Sequence, residues 1–380
     1  MVTTVKGVCD ERFSSVRDTL AASLERGDDV GASVAVTIEG ELVVDLWGGW
    51  ADEACSVAWE RDTITNVWST TKTMTALCAL MVADSGELDL DAAVSHYWPQ
   101  FADAGKGDRV LVRHVMGHTA GLSGWAQPIT IDDLYDWEKC TSLLAAQEPW
   151  WEPGTASGYH AITQGYLVGE LIRRVTGRSI GEFFRDEVAG PLGADFHIGL
   201  EQSNFERVSN VIPPPPISLP EGSALPDMAL RTLMNPLMDV TAVWSEGGRR
   251  AEIPAAGGHG NARSVALVQA ILANGGALRG HRFLSEAGVE RVLEEQSNGV
   301  DLVLGVPLRF GMGFGLPSEL LPLNATGRAC YWGGYGGSVI VVDLERRATF
   351  AYMMNKMADG LVGDARGLDL GAAVMAGLAS

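Results

Sequence analysis

The 380-residue sequence predicts an α+β fold: an antiparallel sheet built from both chain ends, flanked by N- and C-terminal helices, with a mostly helical lobe inserted between them. Three observations predict it. Two β-rich runs, "GASVAVTIEG" and "ELVVDLWGGW", follow an amphipathic stretch near the start. Another pair of strand-like runs, "CYWGGYGGSVIVVDL" and "RATFAYMMNK", precedes a helical stretch at the end. The long segment between is dominated by helical patterns. This order does not fit repeated βαβ units.

Phe13, Val16, Leu20 and Leu24 recur at helical spacing, so residues 10–27 are expected as a helix. Glu39–Gly40 separates the first two β runs and reads as a hairpin turn. The apolar series Met74, Leu77, Cys78 and Met81 marks a helix starting near Ser69, and Leu167, Leu171 and Ile172 mark another. "PPPP" at 213–216, within a Pro-rich stretch to Pro226, reads as an extended surface connection. A last helix is expected over 361–378. Residues 1–70 with 255–380 are expected to form the sheet domain and 71–254 the helical one, with the site in the cleft between them.

Composition narrows the function classes. With 46% hydrophobic and 20% charged residues, the chain is globular. A net charge of −20 argues against nucleic acid and against anionic membranes. No stretch approaches the roughly 18 apolar residues of a membrane span. "MVTTVKGVCDERF" lacks the apolar core of a secretory signal. Cys9, Cys55, Cys78, Cys140 and Cys330 show neither a disulfide framework nor zinc spacing. A cytoplasmic protein without metal or cofactor is the expectation.

Three segments carry chemistry. In "VWSTTKTMTALCALM", Ser69 stands three residues before Lys72, one turn along the same helix face. A serine hydroxyl needs a base, and a lysine serves only if burial or nearby charge lowers its pKa. The helix N-terminus adds backbone N–H groups that favour an oxyanion. An isolated S-x-x-K is more often a helix cap beside a solvated lysine. Here Lys72 is one of five lysines, the only one with a serine three before it, and its surroundings are apolar. In "EPGTASGYHAITQGYLVGEL", Tyr159 follows the Pro153–Gly154 turn. A loop tyrosine works as a base if a nearby ammonium stabilises its phenolate. In "YWGGYGGS" (331–338), the glycines allow close backbone approach, and an N–H just past Trp332–Gly333–Gly334 can donate to an oxyanion.

In this order, the three segments resemble the serine β-lactamase and penicillin-binding-protein superfamily, most closely the class C-like family VIII carboxylesterases. The motifs read Ser69–Lys72, Tyr159–His160–Ala161 and Trp332–Gly333–Gly334, and the likeness runs from about residue 30 to 357. "HVMGHTAGLSGW" and "PAAGGHGNARSVALVQAILANGG" support it. The resemblance implies that Ser69 is the acyl-accepting nucleophile and that Lys72 and Tyr159 share the proton work. It places the oxyanion between the backbone N–H groups of Ser69 and Tyr335. Trp332, Gly333 and Gly334 then bind substrate. The implied reaction is hydrolysis of short- to medium-chain carboxylic esters, with a small-molecule ester as substrate and the oligomeric state left open. The alternatives are acyl transfer or amide hydrolysis at the same site, weak β-lactamase or DD-peptidase activity, and a non-enzymatic member of the fold.

Two departures favour esters. Class C β-lactamases usually have Y-x-N, whereas Ala161 has no amide for a β-lactam side chain. Trp332 stands where their K-T-G lysine helps bind a carboxylate. Among decoys, Gly177–Arg178–Ser179–Ile180–Gly181 matches G-x-S-x-G but follows a helix pattern, so Ser179 is read as the cap of S-x-x-E. "GGHGNARS" lacks a dinucleotide-binding context and is read as a turn into a helix. No histidine has metal-ligand spacing, and His118 is read as structural.

Overall fold

The computed structural model describes residues 4–215, 226–318 and 327–379. Six strands form the main sheet: β1 (Lys6–Cys9), β2 (Gly31–Ile38), β3 (Glu41–Gly49), β4 (Ala329–Gly333), β5 (Val339–Asp343) and β6 (Ala348–Met354). Their order is β1-β3-β2-β6-β5-β4, antiparallel throughout. At the centre β2 pairs with β6, Val34 opposite Tyr352, so the two chain ends meet there. The expected α+β arrangement is the one observed.

Local chemistry explains the element boundaries. Glu39 and Gly40 have φ of 53° and 85°, the left-handed pair of a two-residue hairpin turn. The first helix spans Ser14–Arg26 and is shorter than expected. The Asp10 side chain accepts from Arg12 N and opens a 3₁₀ turn at Glu11–Phe13, and left-handed Gly27 ends the helix. The short strand β1 before it has no clear pattern in the sequence. The run "CYWGGYGGSVIVVDL" gives two strands, because the chain turns through Gly336 and Gly337 at φ of 89° and 133°. The last helix starts at Ala365, past left-handed Gly363, and runs to Ala379. Most of the Pro-rich connection lies outside the described residues.

Helices cover both faces of the sheet. Phe350 and Tyr352 of β6 face the last helix, near Gly371 and Gly367. Thr349, one residue out of phase, donates to Ala266 O of the helix Ala262–Ala273 on the opposite face. The helix Thr71–Asp84 is buried nearly all round, which explains its unbroken apolar character. It packs against the helices Thr163–Thr176 and Ala262–Ala273. Among the described residues, no helix is long and apolar enough to cross a membrane.

Phe13 locks the two terminal helices together. It is fully buried, and a Cβ on Gly377 would lie 2.4 Å from its Cδ1. Phe13→Ala leaves a cavity at this contact and is expected to lower unfolding free energy by about 3–5 kcal/mol. A shift in denaturant midpoint at unchanged slope is the check.

Candidate active site

Ser69 lies in a 3₁₀ turn, Trp68–Thr70, that runs directly into the helix Thr71–Asp84. Trp68 is left-handed, with φ of 48°, which costs an L-residue about 1–2 kcal/mol. Specific bonds hold the turn. Trp68 N donates to Asn66 Oδ1 at 3.0 Å, and Thr71 Oγ1 donates to Trp68 O at 2.6 Å. Ser338 Oγ donates to Val67 O at 2.8 Å and lies 2.9 Å from Thr70 Oγ1. The segment after β4 is thereby tied to the one carrying Ser69.

Lys72 is buried and meets three oxygens. Its Nζ lies 3.0 Å from Ser69 Oγ, 2.6 Å from Ala161 O and 2.9 Å from Ala255 O. No carboxylate pairs with it among the described residues, and burial alone pushes its pKa well below the ordinary lysine value. A neutral amine has two N–H bonds and one lone pair. With both N–H bonds on the two carbonyls, such an amine would turn its lone pair to the Ser69 hydroxyl.

Tyr159 approaches Ser69 from the other side. Its Oη donates to Ser69 Oγ at 2.7 Å and accepts from Trp332 Nε1 at 3.3 Å. Burial, the largest influence, raises the phenol above its ordinary range, against the two hydrogen bonds that lower it. At neutral pH the phenol therefore keeps its proton. Burial thus acts in opposite senses on the two groups, which suits Lys72 to accept a proton and Tyr159 to give one. The neighbouring histidines carry no charge either. His160 Nδ1 is 2.6 Å from Gly158 O, so the proton sits there, while Nε2 accepts from Leu122 N. Burial pulls His160 down to about 3 and His118 well below its usual value. His118 Nδ1 accepts from His160 N, and its ring lies 5.1 Å from that of Tyr159. The structural reading of His118 agrees with these contacts.

The end of β4 completes the site. A Cβ on Gly334 would stand 2.4 Å from Val67 O and 3.2 Å from Ser69 N, so only glycine allows this approach. The amides of Ser69 and Tyr335 have no hydrogen-bond partner among the described residues. Two such N–H groups can bind an oxyanion. Gly333 has a packing reason to be small, since a Cβ would meet Gly363 N at 2.6 Å. Trp332, Tyr159, Tyr331, Phe310, Val303 and Leu308 form one apolar cluster beside Ser69.

Three contributors carried no usable sequence signal. Ser338 ends a quoted motif, yet its clamp depends on contacts far along the chain. The Ala255 carbonyl reaches Lys72 only through folding. Asp301 lies in a hairpin loop whose packing no periodicity reveals. Ser179, the decoy serine, is a helix cap: its Oγ accepts from Glu182 N, and Glu182 Oε2 accepts from Ser179 N. "GGHGNARS" does lead into a helix, capped by Asn261. Among the described residues, no group of three or more His, Cys, Asp or Glu could hold a metal ion.

An antiparallel sheet with a serine, a buried lysine and a tyrosine converging at its edge defines a serine-hydrolase type of site. The beta-lactamase family model matches residues 16–373, and the chain belongs to that family. It is 36% identical over 374 residues to the Esterase/beta-lactamase LipL of Mycobacterium tuberculosis (strain ATCC 25618 / H37Rv), covering 94% of this chain and 84% of that one. The crystal structure of a family VIII carboxylesterase is 40% identical, covers 98% of this chain and 99% of its own, and superposes with a TM-score of 0.92. A penicillin-binding protein homologue from Caulobacter crescentus is 37% identical, with 98% and 100% covered and the same TM-score.

The close approach of Gly334 is testable. Gly334→Ala forces the backbone away from Val67 and Ser69, and kcat for an ester is expected to fall at least about tenfold with the fold intact. Steady-state kinetics beside far-UV circular dichroism measures both.

Proposed function

We propose that this chain is a carboxylesterase that hydrolyses short- to medium-chain esters through a Ser69 acyl-enzyme. One observation carries the reading: Ser69 Oγ is shared by a buried lysine with no carboxylate partner and by a protonated tyrosine. In the proposed cycle, Ser69 Oγ attacks the ester carbonyl carbon as the Lys72 lone pair takes the hydroxyl proton. The oxyanion is held by the amides of Ser69 and Tyr335. The C–O bond then breaks, and Tyr159 gives its proton to the leaving alcohol oxygen. The Lys72 ammonium then returns its proton to the phenolate, both groups lying against Ser69 Oγ, at 3.0 and 2.7 Å. Water next attacks the acyl group and gives a proton to Lys72, Ser69 is reprotonated and leaves, and the acid is released.

Ester chemistry is favoured over β-lactam or peptide chemistry by what lines the site. Ala161 offers no side-chain amide, and Trp332 offers an apolar wall where a substrate carboxylate would need a cation. Names among the relatives point the same way, with esterase and carboxylesterase prominent. The penicillin-binding-protein homologue favours weak β-lactam hydrolysis as a second reading. Acyl transfer needs only an alcohol in place of water at the second step.

We further propose that residues 1–70 with 255–380 act as a sheet lobe and 71–254 as a helical lobe, with the ester bound between them. This is supported by the origin of the groups: Tyr159 comes from the middle of the chain, Trp332 from the sheet edge, and Ser69 from their junction. The five cysteines are all unpaired, which suits a reducing compartment and a cytoplasmic enzyme.

Ser69→Ala is expected to abolish p-nitrophenyl butyrate hydrolysis while the protein stays soluble and folded. A variant keeping more than about a tenth of wild-type activity overturns the assignment. The pH profile gives a separate check. Activity needs the neutral Lys72 amine, so kcat/KM falls as pH drops through the lowered lysine pKa. That acid limb is expected well below the ordinary value of 10.5. A limb at or above that value overturns Lys72 as the base.

A further inference from the structure

Tyr159 lies on a loop, yet its proposed work demands an Oη fixed within a fraction of an ångström. The Trp332 bond at 3.3 Å is long and constrains only the ring tip. Something else must hold the backbone. The hairpin formed by Ser297–Val300 and Pro307–Phe310 lies against this loop. At its turn, Asp301 is fully buried. A single oxygen, Oδ1, accepts three backbone N–H groups: Tyr159 at 3.0 Å, Val303 at 2.9 Å and Leu304 at 2.9 Å. Leu302 N adds a bond to Ser157 O at 2.9 Å.

We propose that Asp301 is the positioning residue for Tyr159, a carboxylate that fixes the tyrosine backbone to the 297–310 hairpin and so aims the phenol at Ser69. This rests on the proton-donor role proposed for Tyr159. One acceptor oxygen that gathers three N–H groups ties the hairpin turn and the tyrosine backbone into a single unit. Two of those bonds shape the hairpin turn and the third crosses 142 positions of sequence to Tyr159. The other oxygen, Oδ2, is buried with no hydrogen-bond partner among the described residues, so Oδ1 alone carries the side chain's contacts. The hairpin also supplies Phe310, whose ring lies 5.3 Å from Trp332 and 4.8 Å from His118, so the same element packs the ring's surroundings.

The test is a double-mutant cycle on kcat, with p-nitrophenyl butyrate and the thermal midpoint of every variant recorded. Asp301→Ala in the wild-type background is expected to lower kcat at least tenfold and to change KM less than threefold. Asp301→Asn, which keeps an acceptor oxygen, is expected to recover at least threefold of that loss. In a Tyr159→Phe background, where the phenol is already gone, Asp301→Ala is expected to change kcat less than twofold. The proposal is overturned if Asp301→Ala keeps wild-type kcat. An equal fold-loss in both backgrounds overturns it too, because that marks a general structural effect. If Tyr159→Phe alone retains wild-type kcat, the donor role of Tyr159 falls first, and the inference falls with it.

Discussion

The site is organised around a lysine buried without a counter-charge. Desolvating an ammonium is so unfavourable that the side chain neutralises unless it is paired. Lys72 has two carbonyls and a hydroxyl for company. Those neighbours come from three distant stretches, the start of the helix Thr71–Asp84, Ala161 and Ala255. A dry, carbonyl-lined hole can exist only when all three are packed together. The near-total burial of that helix therefore sets the protonation state at its first turn.

A second constraint is the close crossing of the segment after β4 over the residues before Ser69. Ser338 clamps Val67 and Thr70, and Gly334 leaves no room for a side chain. The loop beyond is anchored as well. Arg366 Nη2 donates to Gly336 O at 2.7 Å, while the same guanidinium pairs with Asp29 and Asp364. Asp29 is itself buried, bonded to Ser23 and to Tyr352 of the central strand β6. A charge network under the terminal helix thus steadies the loop that carries Tyr335, whose amide is proposed to bind the oxyanion. The strain at Trp68 persists because these contacts over-determine the turn.

The wall of the site is aromatic and uncharged. The ring centres of Phe310 and Tyr159 each lie 5.3 Å from that of Trp332, and His118 packs on them as a neutral ring. Such a surface lowers the local dielectric, which keeps the phenol protonated and the amine neutral. Among the described residues of this wall there is no cation for a substrate carboxylate. The same residues therefore bear on proton positions and on the class of substrate that fits.

Much of this was legible in the sequence. The alternation of the strand runs, the Glu39–Gly40 turn and the helical spacing of Val16, Leu20 and Leu24 are local signals, and local physics produced the corresponding elements. Ser69, Lys72, Tyr159 and Trp332 were legible because each stands in a short motif with its own chemical reason. Where the reading slipped, a nearby competitor had acted: a capped 3₁₀ turn before the first helix, and glycines splitting one strand run in two. What only the tertiary structure decided is which of Lys72 and Tyr159 holds a proton, why Gly334 cannot carry a side chain, and what braces the tyrosine loop. Asp301 stands 142 positions from Tyr159, and Ala255 stands 183 from Lys72. Desolvation and contact across such separations are properties of the packed chain, and no short window of sequence contains them.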